Sequence, residues 1–407
     1  MIQSVKESQN VVLIDDEDRY DRLRLIQWWD QQRIASAKVM VVGAGALGNE
    51  VLKNLALIGI GEVHIVDFDF VQPSNLSRSV LFRAQHAGQS KSSVAAEMAS
   101  ELNPDCRMIS RHADVTCDIG LGIVRDVDVV IGCLDNREAR LWVNRMCFKT
   151  GTPWIDGGIQ EINGVAKVFR PPHGPCYECG MTENDYRLIA LRYSCPLLKK
   201  EDIQQGRVPT APTIASIVGG VQVQEALKLL HDLPVRDGGA IVFNGMTNSL
   251  YQTDYPLKED CLSHETYDDI LEIDFDIESN AQALFDRLRQ LKAFTVEERL
   301  NLVLDRDFIT TVCCHGCNTS SVVNRTRAKV AAELAVCTNC QQPMAVEMVH
   351  EVSQGDENSR LSLAILGVPF DDIVKIESEL ERRYVLLRSN RADQNNERCQ
   401  DHLLGNN

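Results

Sequence analysis

The segment from Lys38 to Ser79 constrains the fold of this chain most strongly, because apolar runs alternate in it with glycines and polar residues. The opening run KVMVV lacks polar alternation and predicts a buried strand of a parallel sheet covered on both faces. Gly43, Gly45 and Gly48 follow at the spacing of a nucleotide-binding turn, where helix N-terminal amides face phosphate oxygens. Asp67 closes the second apolar run, where a carboxylate can hold a ribose hydroxyl. Up to this point the pattern suits a dinucleotide equally well.

Polar residues near the ends of the predicted strands favour a triphosphate over a dinucleotide. They are expected along the carboxyl edge of one sheet, and they are Asp69, Asn75, Arg78, Lys91, Asp135 and Asn136. Cations near a triphosphate offset its charge, and carboxylates can hold Mg2+ across phosphate oxygens. A nicotinamide enzyme must instead hold a neutral ring and two bridged phosphates. The set therefore indicates nucleotidyl transfer and not hydride transfer.

Seven motifs between Arg19 and His264 carry a resemblance to a known superfamily. They are R-Y-D-R at 19–22, G-A-G-A-L-G at 43–48, D-F-D at 67–69, N-L-S-R at 75–78, G-Q-S-K at 88–91, D-N-R at 135–137 and P-C-Y-E-C at 175–179. At these residues the chain resembles the ubiquitin-like activating enzymes and the sulfur-carrier adenylyltransferases of the ThiF type. Members form an acyl-adenylate from ATP and the C-terminal carboxylate of a small ubiquitin-like protein. The resemblance implies a doubly wound, Rossmann-like mixed α/β sheet.

The resemblance also implies roles for the polar residues of the predicted nucleotide site. Asp67 would bind the ribose of ATP, and Asn75, Arg78 and Lys91 would contact its phosphates. Asp135 would hold Mg2+, while Asn136 would support the loop. Asp69 stays open between a metal or nucleotide contact and a structural role. No general base is required, because the attacking group is already a carboxylate.

Arg22 is implied to act in the site of a second copy of the chain. In the superfamily the second arginine of this motif reaches across a two-fold interface into the neighbouring ATP site. That role predicts a homodimer with shared active sites. The alternative is a surface arginine on an amphipathic helix.

Cys195 is the candidate for an acyl-accepting cysteine. Some members of the superfamily pass the acyl group to their own cysteine, in the crossover loop before a long apolar helix, and then to a conjugating enzyme. Only Cys195 falls in that interval, and Arg192, Lys199 and Lys200 would favour its thiolate if they cluster around it. The alternative is a loop cysteine without a role.

Two sets of residues are expected to bind Zn2+. The resemblance implies a site that begins with Cys176 and Cys179 and is closed beyond the last sheet strands. There the superfamily has a second C-x-x-C, whereas this chain reads D-C-L-S-H, so the implied set is completed by Cys261 and His264. The second set has the spacing of a zinc ribbon, with Cys313 as an alternative first ligand, and comprises Cys314, Cys317, Cys337 and Cys340.

Composition excludes several classes of function. The net charge of −16 argues against nucleic acid or an anionic membrane as the main partner, although a ribbon that binds nucleic acid stays an alternative. No signal peptide and no membrane-spanning run are evident, and 14 cysteines, several of them in C-x-x-C pairs, suit a reducing compartment. We therefore expect a cytoplasmic protein.

The predicted organisation has five parts. They are an N-terminal arm and helix (1–36), an adenylation domain with crossover loop and zinc site (37–264), a helical linker (265–300), a zinc-ribbon and α/β module (301–390) and a disordered tail (391–407). A single helix is expected over 19–35, and another over 371–387.

Four functions compete for this chain. The leading prediction is an enzyme that adenylates a ubiquitin-like protein with a glycine C-terminus, forms a thioester on Cys195 and transfers the acyl group to a conjugating enzyme. The alternative enzyme stops at the adenylate and serves sulfur transfer in cofactor biosynthesis. A scaffold without ATP chemistry is less consistent with the intact set Arg78, Lys91 and Asp135. A nicotinamide oxidoreductase is the remaining alternative.

Overall fold

The computed structural model describes residues 18–194, 209–294, 298–330, 334 and 336–388. Among these residues, eight strands form one sheet and six form another. The strands of the first sheet are β1 (Lys38–Val42), β2 (Glu62–Val66), β3 (Arg107–Arg111), β4 (Val129–Gly132), β5 (Trp154–Gln160), β6 (Asn163–Phe169), β7 (Gly239–Asn244) and β8 (Ser249–Asp254). The helices in this part are α1 (Asp21–Arg24), α2 (Gln31–Ser36), α3 (Ala46–Ile58), α4 (Lys91–Leu102), α5 (Leu121–Arg125), α6 (Arg137–Thr150), α7 (Glu183–Ser194) and α8 (Pro212–Leu230).

The first sheet is mixed, as predicted. Its order is β3-β2-β1-β4-β5-β6-β7-β8, with parallel pairing from β3 to β5 and antiparallel pairing from β5 to β8. The strand order reverses at β1, because β2 pairs with one edge of β1 and β4 pairs with the other edge. In open α/β sheets, ligands bind at such a reversal, outside the carboxyl ends of the strands. The glycine-rich turn lies there, because it follows β1 directly.

Both faces of the parallel strands are buried, which explains their uninterrupted apolar runs. On one face Val39, Val41 and Ile65 pack in a core with α3 residues such as Val51 and Leu55. On the other face a second core includes apolar side chains from α5 and α6. Helices therefore cover the sheet on both sides, as the doubly wound class requires.

The single helix expected over 19–35 is wrong. The structure has α1, a turn, and then α2, which begins after Asp30. The Asp30 carboxylate accepts hydrogen bonds from the amides of Gln32 and Arg33, so it caps a new helix start. Trp29 packs near the ring of His231 in the turn before Asp30. Capping and tertiary packing therefore override the continuous apolar periodicity.

The second sheet corrects two further expectations. Its elements are β9 (Leu271–Asp274), α9 (Ala281–Gln290), β10 (Asn301–Cys314), β11 (Thr319–Thr326), β12 (Ala345–Ser353), β13 (Ile373–Glu377) and β14 (Arg382–Arg388). The interval 265–300 is not a helical linker, because β9 pairs with β14 and α9 packs in the core of this domain. The helix expected over 371–387 is instead the hairpin of β13 and β14, with exposed Leu380 at its turn.

The second domain packs against the α5–α6 side of the first. Arg306 of β10 is almost fully buried, and its guanidinium lies 3.2 Å from the Asp372 carboxylate. The same guanidinium donates to the carbonyl oxygens of Thr116 and Ile119, at 3.3 and 3.2 Å, and lies over the ring of Trp142. The two domains therefore share a buried polar contact as well as apolar packing.

None of the helices in the described part of the chain combines the length and apolarity needed to span a bilayer.

Candidate nucleotide-binding site and metal centres

The glycine turn after β1 is closely packed at two of its three glycines. Gly43 has φ +96°, and a Cβ there would lie 2.4 Å from the carbonyl oxygen of Cys133, beyond β4. A Cβ on Gly48 would lie 1.9 Å from the carbonyl oxygen of Gly43. Gly45, at the start of α3, has open space within 4 Å of the corresponding position. The packing therefore requires Gly43 and Gly48, whereas Gly45 leaves room for a ligand to approach the helix N-terminus.

Asp67 joins the end of β2 to the glycine turn. Its carboxylate accepts hydrogen bonds from the amides of Ala44 and Asp69, both at 2.7 Å. Burial raises the pKa of the Asp67 carboxyl, and the nearby Lys91 ammonium opposes this effect. Asp67, the residue predicted to bind the ribose, is thus hydrogen-bonded to the glycine turn that is predicted to bind the phosphates.

Lys91 lies on the same side of the sheet and pairs with Asp69. Its Nζ is 2.7 Å from Asp69 Oδ2, and its amide donates to the Asp69 carbonyl oxygen at 2.9 Å. The lysine side chain is 12% exposed, so the pair holds the ammonium in a defined position at the start of α4. The sequence left the role of Asp69 open. In the structure its carboxylate pairs with the Lys91 ammonium.

Asn75 and Arg78 lie on a short 3-10 turn, Pro73–Asn75, and the residues that follow it. The Asn75 side-chain oxygen accepts from the amide of Gln72 at 2.9 Å. The Arg78 guanidinium donates to the carbonyl oxygen of Ser74 at 3.0 Å. Both side chains are thus tied to their own turn at the rim of the sheet.

Asp135 and Asn136 form the loop between β4 and α6. Asn136 caps α6, because its side-chain oxygen accepts from the amide of Ala139 at 2.8 Å. Its Nδ2 donates to Asp135 Oδ1 at 3.2 Å. Asp135 is exposed, and it lies two residues after Cys133, which packs against Gly43 of the glycine turn. The cap on α6 fits the expectation that Asn136 supports the loop, whereas the expectation that Asp135 holds Mg2+ stays a prediction.

A buried charge network beneath this loop escaped the sequence analysis. Arg140 of α6 lies 2.8 Å from the fully buried carboxylate of Asp156, and Lys167 lies 3.1 Å from the other oxygen of Asp156. Arg140 also donates to the carbonyl oxygens of Leu134 and Gly157, which fastens the loop to β5. Charged residues inside otherwise apolar strands, as in P-W-I-D and V-A-K-V, were the available signal.

The four residues of the first expected metal set come together. Their ligand atoms all lie within 4.8 Å of one another, with the Cys176 and Cys261 sulfurs 3.5 Å apart and the Cys179 sulfur 3.4 Å from His264 Nε2. Tetrahedral zinc with bonds of about 2.3 Å to sulfur separates its sulfur ligands by about 3.8 Å. The donor set and spacing therefore fit a single zinc ion. Burial raises the pKa of the Cys176 thiol in the metal-free geometry.

The second expected set also converges, and Cys314 rather than Cys313 belongs to it. The sulfurs of Cys314 and Cys340 are 3.3 Å apart, and those of Cys317 and Cys337 are 3.5 Å apart. Backbone amides of Cys340 and Asn339 lower the pKa of Cys337 to about 6, which favours a thiolate ligand. Cys313 instead lies 4.0 Å from Glu347. Four sulfurs at this spacing fit zinc.

For two of the expected site residues, Cys195 and Arg22, the role expected at the candidate nucleotide-binding site stays a prediction. Cys195 lies outside the described residues, which end at 194 and resume at 209. Arg22 lies exposed on α1, a helix of four residues.

The eight-stranded sheet and the glycine turn at its strand-order reversal define a Rossmann-like α/β protein. The match to a known family is more specific, because residues 18–262 match the ThiF family. The chain belongs to the ThiF family. The resemblance drawn from the seven motifs is thereby confirmed, and with it the class of activating enzymes and adenylyltransferases.

Curated relatives differ in how much of their length the chain spans. The SAMP-activating enzyme E1 of Haloferax volcanii is 32% identical over 263 residues, which cover 62% of this chain and 90% of that protein. The sulfur carrier protein adenylyltransferase of Thermus thermophilus is 32% identical over 53% of this chain and 78% of that protein. The SUMO-activating enzyme subunit 2 of Dictyostelium discoideum is 38% identical, but the chain spans only 22% of its length.

Among solved structures, Escherichia coli MccB with ATP has a similar fold. The TM-score is 0.51 at 22% identity, over 61% of this chain and 74% of that chain. This likeness supports the architecture of the first sheet.

Proposed function

We propose that this protein adenylates the C-terminal carboxylate of a ubiquitin-like protein with a glycine C-terminus, using ATP. The observation that carries the proposal is the grouping of the glycine turn, Asp67, Lys91 and the Asp135 loop around the strand-order reversal of a ThiF-family sheet. Relatives named as activating enzymes and as a sulfur carrier adenylyltransferase support the same chemistry.

The reaction would proceed by attack of the substrate carboxylate on the α-phosphorus of ATP. The new O–P bond gives the acyl-adenylate, and pyrophosphate leaves with the electrons of the broken bond. Arg78 and Lys91 would offset negative charge that builds on the phosphates. Asp135 would hold Mg2+, which would supply positive charge to offset that of the phosphates. Asp67 would hold the ribose hydroxyls, so binding and positioning account for the catalysis.

We further propose a thioester step and a homodimer. The Cys195 thiolate would attack the acyl carbon and release AMP, and the acyl group would then pass to a conjugating enzyme. Arg22 of one subunit would complete the ATP site of the other. The thioester step and the homodimer carry over from the superfamily. A cytoplasmic location is proposed from the cysteine content, which suits a reducing compartment.

The alternative is a sulfur-carrier adenylyltransferase that stops at the acyl-adenylate. It is supported by the similarity to the Thermus thermophilus enzyme over most of that protein's length. The presence or absence of an acyl-cysteine intermediate separates the two functions.

ATP–pyrophosphate exchange that depends on a glycine-terminated carrier protein tests the adenylation step. We expect Arg78→Ala and Asp135→Ala to reduce exchange by about 10²-fold or more, because each removes charge stabilisation from the phosphates. Both variants should keep the dimer in size-exclusion chromatography. Loss of the dimer, or exchange at the wild-type rate, would show that these residues are misassigned.

A carrier adduct that is cleaved by thiols tests the second step. Cys195→Ala should abolish the adduct while leaving pyrophosphate exchange intact. If wild-type enzyme gives exchange but never an adduct, the sulfur-carrier alternative replaces the thioester enzyme. An adduct that survives Cys195→Ala contradicts the choice of cysteine.

A further inference from the structure

The first turn of α7 contacts two different sites through adjacent side chains. Asp185 Oδ1 lies 3.0 Å from Arg137 Nε, and Arg137 is the first residue of α6, two positions after Asp135. Tyr186 donates its hydroxyl to Glu178 Oε1 at 2.7 Å, and Glu178 stands between the metal-set cysteines 176 and 179. One helical turn therefore touches both the candidate nucleotide loop and the candidate metal centre.

The Asp185 contact is well defined because both carboxylate oxygens are used. Asp185 Oδ2 accepts from the amide and the hydroxyl of Thr182, at 2.9 and 2.7 Å, which ties the carboxylate to the start of α7. Hydrogen bonds from Thr182 lower the pKa of the Asp185 carboxyl, and Arg137 adds to this. The charged carboxylate is thus held in place to face Arg137.

Glu178 connects the other side of the turn to the metal centre. Its carboxylate is 2% exposed and accepts from Arg145 of α6 at 2.9 Å as well as from Tyr186. Its second oxygen accepts from the hydroxyl of Ser263, which lies between the ligands Cys261 and His264. Glu178 therefore joins the two ligand-bearing turns to each other and to α7.

We propose that Asp185 and Tyr186 are positioning residues that couple the Cys3His metal centre to the nucleotide loop at Asp135. Binding of nucleotide at the loop fixes Arg137, which fixes the first turn of α7, which in turn fixes Glu178 and the metal-binding turn. Coupling of this kind is reciprocal, so an ordered metal centre also favours the binding geometry of the loop. The inference rests on the proposed function only in assigning MgATP to the Asp135 loop.

Hydrogen–deuterium exchange of the zinc-loaded full chain, with and without saturating MgATP, tests the coupling. In the wild type we expect MgATP to slow exchange in the first turn of α7 and in the metal-binding turn 176–180, by about 3-fold or more. The ribbon turn at 337–340 belongs to the other domain and should show no change. These three segments report protection without any measurement of turnover.

Variants determine the order of the links. Arg137→Gln should bind MgATP yet lose the protection in both α7 and 176–180. Tyr186→Phe removes only the hydroxyl, so it should keep the protection in α7 and lose it at 176–180. Glu183→Gln changes a carboxylate that is 93% exposed in the same turn, and it should behave as the wild type. Asp185→Asn removes the same ion pair from the α7 side, so it should lose the same protection as Arg137→Gln.

A kinetic measurement separates positioning from a purely structural role. Arg137→Gln should raise the KM for MgATP in pyrophosphate exchange by about 2- to 5-fold with little change in kcat, while the thermal midpoint stays near that of Glu183→Gln. Unchanged exchange protection in wild type at saturating MgATP, or full protection in Arg137→Gln, would overturn the coupling. If the enzyme catalyses carrier-dependent pyrophosphate exchange but MgATP gives no protection at 176–180, the coupling is wrong and the proposed function remains. If MgATP gives that protection but no carrier supports pyrophosphate exchange, the proposed function is wrong and the coupling remains.

Discussion

Gly45 and Gly48 differ in what surrounds them, although the motif treats them alike. A Cβ at Gly48 collides with backbone, whereas a Cβ at Gly45 meets nothing within 4 Å. Sequence spacing predicted the turn but not this difference, because spacing does not say where the turn places the carbonyl oxygen of Gly43. One glycine is required by packing and the other keeps space free for a ligand.

The two glycines should therefore separate stability from nucleotide binding. Gly48→Ala should lower the free energy of unfolding by about 1–3 kcal/mol, since the added methyl group must displace backbone. Gly45→Ala should leave the thermal midpoint unchanged and weaken ATP binding about tenfold, equivalent to about 1.4 kcal/mol. Thermal unfolding and calorimetric titration measure the two quantities. Equal effects of both changes on unfolding would refute the distinction.

The pH dependence of ATP binding should reflect Asp67. Burial raises the pKa of this carboxyl above 3.8, so the stability that it contributes is present below pH 3.8 and is lost as the pH rises through the raised pKa. A ribose hydroxyl needs the ionised acceptor, so ATP affinity should increase over that same rise. Titrations from acidic to neutral pH should show this increase in ATP affinity in the wild type and not in Asp67→Asn. An increase of equal size in the variant would assign the pH dependence to another titratable group.

At the scale of elements, the C-x-x-C pairs were predictable, whereas β9, β13 and β14 of the same domain were not. The apolar periodicity of 371–387 suited a helix, but the segment forms β13 and β14 because β13 pairs with β10 and β14 with β9. Leu271–Asp274 likewise becomes a strand only through its pairing with β14. Pairing partners 72 or more residues away, as Val303 and Lys375 are, cannot be read from a local window.

Neighbouring cysteines at the end of β10 allow a matched test of the ribbon. Cys314→Ser should lower bound zinc from two ions to one per chain, because Cys314 lies in the four-sulfur set. Cys313→Ser should retain both ions, since its sulfur lies near Glu347 instead. Elemental analysis of the purified variants gives the count, and pyrophosphate exchange should persist in both. Loss of zinc from Cys313→Ser would reverse the ligand assignment.

At the scale of the whole molecule, described residues of the second domain contact the first domain directly. Asp372 accepts from the amide of Leu121 at 2.8 Å while it pairs with buried Arg306. Gly122 donates its amide to the carbonyl oxygen of Asp371 at 2.7 Å. Ile373 and Leu386 belong to the same apolar cluster as α6 residues.

Removal of one charge from this contact should be costly. Arg306→Met leaves the Asp372 carboxylate buried without its cation, and we expect a loss of about 3–5 kcal/mol in the free energy of unfolding. Arg299→Met removes the cation of an exposed pair with Asp356 and should cost less than about 1 kcal/mol. Chemical denaturation of both variants makes the comparison. Similar losses would show that the interdomain contact adds no more than a surface ion pair.

The amino-acid sequence by itself determined the doubly wound domain, its glycine turn, the polar residues at its rim and the two cysteine-based ligand sets. These features depend on short motifs whose chemistry is local, together with the order in which the motifs occur. Only the tertiary structure decided that Asp156, Arg140 and Lys167 form a buried network, that α7 bridges two sites, and that β9 and α9 belong to the second domain. Each of these depends on contacts between distant segments, whose register is set by burial and hydrogen bonding across the whole fold.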